Sequence, residues 1–167
     1  MPSPGGRESE EARRVVGIDL GERRIGVALG DLSTRTAAPF TTLSRGKTVE
    51  EDAATISRLA AEQAAGLLVV GLPLDMDGGE GAQATRTREW AEAIASATGL
   101  PLRYRDERLT SERAERRIGP PARGRSGGPP SPAQREAYRA RVDREAAALI
   151  LQDELDAATD ENLESRT

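Results

Sequence analysis

A chain of 167 residues, 37% of them apolar, is long enough for one ordinary domain with a single core. It contains neither cysteine nor histidine, which excludes disulfides, zinc–thiolate sites, cysteine nucleophiles and histidine-based triads. The formal charge of −4 hides a split, because between Pro101 and Arg144 there are 12 Arg against 6 Asp or Glu. Any catalysis must come from carboxylates, Lys or Arg, hydroxyls and hard cations. Clustered Arg suits phosphate recognition, and the plain alternative is a solvated helix face. With 2% aromatic residues, a surface that stacks nucleic-acid bases is not expected.

Residues 1–13 are polar, lack the apolar stretch of a signal peptide and are expected to be a disordered tail. No run of 18 apolar residues occurs, so no membrane span is expected and a cytoplasmic location follows. Two apolar runs, Val15-Val16-Gly17-Ile18-Asp19-Leu20-Gly21 and Ile25-Gly26-Val27-Ala28-Leu29, flank Glu22-Arg23-Arg24 and predict a β-hairpin. A third short strand is expected over 39–43. Thr48 and Glu51 then form a capping box for a helix that carries Val49, Ala53, Ile56 and Ala60 on one face and ends at Gly66.

The continuous apolar run 67–71 predicts a strand covered on both faces. A Gly- and Asp-rich loop over 73–81 follows, then a helix to about Ala97 that buries Trp90, Ala91 and Ile94 and closes at Gly99. Residues 101–104 read as a further strand, and Thr110 as the cap of a short helix to Ile118. Between 119 and 132 there are four Gly and five Pro without periodicity, a flexible loop over 119–131. Ser131, Pro132 and Gln134 supply the cap, first residue and capping-box partner of a last helix running to about Ala158. Residues 14–158 thus form one domain, and 159–167 an acidic tail. A hairpin followed by alternating helices and buried strands predicts an α/β fold, a five-stranded mixed sheet with three antiparallel strands then two parallel ones, flanked by helices.

Three acids stand against their local patterns. Asp19 lies in an apolar strand, and an ionised carboxylate removed from water is costly unless paired or bound to a cation. Glu107 follows the carboxyl end of a predicted parallel strand, where α/β sheets place their sites. Asp143 shares the helical arc of Ala146, Ala147 and Ile150. Each has a plain reading: Asp19 caps a turn or pairs with Arg23 or Arg24, Glu107 belongs to a surface cluster, and Asp143 pairs with Arg139. Together, three acids on distant segments suit Mg2+ or Mn2+, and a two-metal site for phosphoryl displacement needs neither histidine nor cysteine.

Four motifs in order resemble the bacterial YqgF family. They are Gly17-Ile18-Asp19-Leu20-Gly21-Glu22-Arg23-Arg24-Ile25-Gly26-Val27-Ala28, Val70-Gly71-Leu72-Pro73-Leu74-Asp75-Met76-Asp77-Gly78, Asp106-Glu107-Arg108-Leu109-Thr110-Ser111, and Val142-Asp143 with the run 146–152. The family comprises ribonuclease-H-like nucleases, described as Holliday-junction resolvases and as pre-16S rRNA nucleases. The resemblance implies a ribonuclease-H-like fold and a metal-dependent phosphodiesterase whose acidic triad, catalytic and metal-binding, falls on Asp19, Glu107 and Asp143. The expected cofactor is Mg2+ or Mn2+. Arg24, Arg108, Arg113, Arg116 and Arg117 are the candidates for the nucleic-acid backbone. The expected partners are precursor rRNA, branched DNA and ribosomal particles, for a monomer or weak homodimer. The rival readings are a non-catalytic RNA-binding scaffold and a single-domain nucleotide-binding protein.

Overall fold

The structure, a computed structural model, describes residues 13–164. The tail expected at 1–13 lies outside the described residues except for Arg13, as does the end of the acidic tail, 165–167. The elements run β1 (Arg14–Leu20), β2 (Arg24–Asp31), β3 (Thr36–Ser44), α1 (Val49–Glu62), β4 (Ala65–Leu72), α2 (Ala82–Thr98), β5 (Leu102–Asp106), α3 (Thr110–Ile118) and α4 (Pro132–Glu164). The sheet order is β3-β2-β1-β4-β5, with β1–β2 and β2–β3 antiparallel and β4 and β5 parallel to β1. The mixed sheet expected from the sequence is the one observed.

Side-chain alternation decides what each face receives. On one face Val16 and Ile18 of β1, Ile25 and Val27 of β2, and Leu68 and Val70 of β4 pack against Ile56 of α1 and Trp90, Ala91 and Ile94 of α2. On the other, Val15, Ala28, Leu67 and Val69 meet Ala147, Ile150 and Leu151 of α4. Each fully buried Ile, Leu or Val contributes about 1.5–3 kcal/mol by leaving water. Asp19 has the parity of Val15, so it faces α4.

Local chemistry sets the helix ends. Thr48 caps α1 by accepting from Glu51 N at 3.2 Å, while Glu51 Oε2 accepts from Lys47 N at 2.7 Å, one residue before the expected partner. Ser131 and Gln134 form the full reciprocal box at the start of α4 (2.8 and 3.1 Å). Gly99 closes α2 at φ 71°.

Three boundaries differ from expectation. The turn after α1 places Ala64 at φ 52°, and Gly66 already lies in β4. Leu109, not Thr110, takes the N-cap position of α3, at φ 61°. There the Thr110 N–H donates to the Glu107 carbonyl at 3.0 Å and its side chain is buried. The helix α4 continues to Glu164, beyond Ala158. The third strand is also longer than expected. Pro39 fits there because β3 is an edge strand and its pairing with β2 shifts register between Val27 and Ala28.

One buried acid went unnoticed in the sequence. Asp52 of α1 is 2% exposed and accepts from Gly46 N (2.7 Å), Trp90 Nε1 (3.0 Å) and Arg45 Nε (3.3 Å). It ties α1 to α2 and to the segment after β3. The signal was available: Asp52 lies four residues before Ile56, on the helix's apolar arc.

Candidate active site

The site lies at the end of the sheet where β1, β4 and β5 terminate, under α4. Asp19 sits opposite Gly26 on the β1–β2 ladder, with about 5 Å between such Cα atoms. Gly26 has no side chain because α4 rests on it: a Cβ there would stand 2.0 Å from the Asp143 carbonyl oxygen. The acid on the strand and the acid on the helix are thereby brought together across one glycine. Gly17 extends the same close approach, since a Cβ there would lie 2.7 Å from that of Leu151.

Glu107 arrives from the other side. Its N–H donates to the Leu72 carbonyl at 3.2 Å, which continues the β4–β5 pairing by one residue. Its side chain then crosses Gly71, where a Cβ would stand 2.5 Å from Glu107 Oε2. It ends in a hydrogen bond with the Asp19 carboxyl. Neither Gly26 nor Gly71 was singled out in the sequence. A glycine inside a strand signals close approach of other atoms, and that cue was present at both.

Burial raises the Asp19 carboxyl above its ordinary range, against the Glu107 hydrogen bond and with the charge of Asp143. Burial also raises Glu107, reinforced by the charge of Asp19, by its hydrogen bond to Asp19 and by Asp106. Two carboxylates in contact cannot both ionise cheaply away from water. The pair therefore keeps a proton at neutral pH, carried by Glu107 and donated to Asp19.

Asp143 has a different partner. Arg24 donates from Nε to Asp143 Oδ2 at 2.6 Å and from Nη1 to Glu136 Oε1 at 3.1 Å. The sequence had offered Arg139 as the plain partner of Asp143, and Arg24 takes that place. Among the described residues, no three His, Cys, Asp or Glu side chains stand together as a ready metal cage. Asp19 and Glu107 meet, and Asp143 is turned to Arg24. The two joined acids suit a divalent cation: they are hard oxygen donors whose mutual repulsion is relieved only by a proton, and a cation relieves it better. Asp143 can join them through Oδ1, and through both oxygens once Arg24 is exchanged.

The other arginines expected to meet nucleic acid also carry acid partners. Arg108 holds Asp106 (2.7 Å), Arg113 holds Asp153 (2.8 Å), Arg116 holds Glu112 (2.5 Å) and Arg117 holds Glu145 (3.1 Å). A phosphate contact by any of them uses the N–H donors its acid leaves free, or a change of partner.

Known proteins resemble this chain in sequence and in fold. The sequence profile of the RuvX family, described as Holliday junction resolvase, matches residues 13–157. The chain belongs to the RuvX family. This is the YqgF resemblance under the family's other name. Among RuvX relatives, the "Putative pre-16S rRNA nuclease" of Anaeromyxobacter sp. (strain Fw109-5) is 48% identical over 143 residues, covering 86% of this chain and 96% of that protein. The protein of the same name from Acidiphilium cryptum (strain JF-5) is 41% identical over 143 residues, covering 86% and 84%. The fold is also that of T. thermophilus RuvC in complex with Holliday junction substrate. The two chains are 15% identical with a TM-score of 0.50, over 88% of this chain and 96% of that one. At that identity the likeness concerns the fold alone.

Proposed function

We propose that this RuvX protein is a metal-dependent nuclease that hydrolyses phosphodiester bonds in structured RNA, trimming the precursor of 16S rRNA in the cytoplasm. The observation that carries the reading is the meeting of Asp19 and Glu107 beside Asp143, from three distant segments. The curated relatives' name supports the RNA substrate. The family description supports a second substrate, a four-way DNA junction, which presents the same phosphates.

Asp19 and Glu107 would hold the cation, Mg2+ or Mn2+, in place of their shared proton, and Asp143 would complete the set through the oxygen that Arg24 leaves open. When bound, the cation supplies Lewis-acid polarisation of the phosphoryl group, and two ions would serve both attacking and leaving oxygens. The protein's part is geometric and electrostatic. Gly26 and Gly71 let the three acids approach, and Arg24, once exchanged, offers its guanidinium to the phosphate. Arg108, Arg113, Arg116 and Arg117 lie on the segment just after Glu107 and would follow the flanking backbone by the same exchange.

The test is cleavage by the wild type and by Asp19→Asn, with Mg2+, on RNA carrying the 16S precursor end and on a four-way junction. Loss of at least 10³-fold in the variant, with an unchanged fold, is the expected result. Wild-type turnover by Asp19→Asn on either substrate would remove the mechanism.

A further inference from the structure

The β1–β2 turn and the early turns of α4 enclose a cleft of about 480 Å3 lined by Glu22, Arg23, Arg24 and Arg139. It adjoins the three acids, because Arg24 holds Asp143 and Arg139 precedes Asp143 by four residues, on the same helix face. The cleft's three guanidinium groups are not equivalent. Arg24 is committed to Asp143 and Glu136. Arg23 and Arg139 are exposed, and among the described residues neither side chain has an ion-pair or hydrogen-bond partner.

This contrasts with the segment from β5 through α3, where Arg103, Arg105, Arg108, Arg113, Arg116 and Arg117 each meet a carboxylate. Arg23 is also held in place by backbone: Gly21 N donates to the Arg24 carbonyl at 2.8 Å, and Arg45 N to the Arg23 carbonyl at 2.9 Å. A cleft with two unpaired guanidinium groups beside an acid cluster suits an anion with several acceptor oxygens. Guanidinium forks fit phosphate oxygens in pairs.

We infer that Arg23 and Arg139 form a subsite for a backbone phosphate of the nucleic-acid strand, beside the phosphate presented to Asp19, Glu107 and Asp143. The inference rests on the nuclease reading above. The phosphate enters between the β1–β2 turn and α4, and its approach draws Arg24 from Asp143 toward the cleft. Glu22, which also lines the cleft, opposes the phosphate by like-charge repulsion.

Binding is read by fluorescence anisotropy in EDTA, with a labelled four-way DNA junction and a labelled RNA carrying the 16S precursor end, across a salt series. Arg23→Ala/Arg139→Ala should weaken binding about tenfold or more and flatten the log–log salt slope by about 1–2. Arg23→Lys/Arg139→Lys should restore the slope but only part of the affinity, because an ammonium lacks the fork. Glu22→Gln should tighten binding. The control Arg13→Ala/Arg58→Ala removes the same charge from exposed positions away from the cleft and should stay near wild type in both quantities. Wild-type affinity and slope in the Arg23/Arg139 double variant would overturn the subsite. So would an equal loss in the control, which would reduce the effect to net charge. Cleavage run in parallel separates the two claims: if the wild type cuts, Asp19→Asn does not, and the Arg23/Arg139 alanine variant binds normally, the subsite falls and the nuclease stands. If the wild type neither binds nor cuts, both fall.

Discussion

Gly26→Ala tests whether the approach of α4 to β2 sets the geometry of the three acids. A Cβ at Gly26 would stand 2.0 Å from the Asp143 carbonyl oxygen, 2.4 Å from its carbon and 3.0 Å from Arg144 N. All three are backbone atoms, so no rotamer change relieves the contact. Ordinary contact begins at 3.4 Å, so the helix or the strand must retreat by more than 1 Å at the point where Asp143 faces Asp19. Overpacking of this kind costs about 1–3 kcal/mol, and a misplacement of about 1 Å costs on the order of 10²-fold in rate. The comparison is Gly30→Ala, which meets the same helix further along, where a Cβ would lie 2.9 Å from Leu151 Cδ2. That neighbour is the tip of a flexible side chain two turns beyond Asp143, and the one backbone contact, the Thr36 carbonyl at 3.2 Å, lies on the edge strand away from the acids. Single-turnover cleavage, measured well below each variant's melting temperature, should fall about 10²-fold in Gly26→Ala and less than about fivefold in Gly30→Ala. Equal losses would mean that general destabilisation explains the effect. Wild-type cleavage by Gly26→Ala would refute the reasoning outright.

Three further outcomes follow from the same contacts. Gly71→Ala puts a Cβ 2.5 Å from both Glu107 Oε2 and Ile150 Cδ1, so it should expel Glu107 from Asp19 and cut turnover about 10²-fold, with a circular dichroism spectrum unchanged. Asp19→Asn should stabilise the protein in EDTA at neutral pH. Because burial raises the folded Asp19 carboxyl, the folded state holds its proton more tightly, and wild-type stability falls as pH rises above about 4, the ordinary carboxylate range. The variant's advantage should grow over that window to on the order of 2 kcal/mol and vanish near pH 3, as urea denaturation at both pH values can show. Asp52→Ala leaves Gly46 N, Trp90 Nε1 and Arg45 Nε without their acceptor. It should cost about 3 kcal/mol by urea denaturation while any residual folded fraction keeps normal turnover.

Much of this site was legible because its cues are local. Asp19 breaks an apolar strand, Asp143 interrupts an apolar helical arc, and Glu107 follows a strand's carboxyl end; each cue is short-range. The strand directions were legible too, since β1 and β2 are apolar runs joined by a short charged turn and β4 is a continuous apolar run between helices. What stayed hidden depends on contacts between distant segments. The choice of Arg24 over Arg139 as Asp143's partner depends on how β2 passes under α4, 119 residues apart in the chain. Asp52 and Trp90 meet across 38 residues. The start of α3 was misplaced by one residue because Leu109 takes a left-handed conformation that a Leu seldom adopts alone. The hydroxyl of Thr110 looked like a cap, yet the residue is buried inside the first turn.

The central claim is that Asp19, Glu107 and Asp143 belong to one cation site. A Mn2+ titration followed by loss of the free-ion paramagnetic resonance signal tests it without any substrate. Saturable binding by the wild type, weakened at least tenfold in each of Asp19→Asn, Glu107→Gln and Asp143→Asn, is the predicted result. Binding left intact by any one of the three substitutions, or no saturable binding by the wild type, would contradict it.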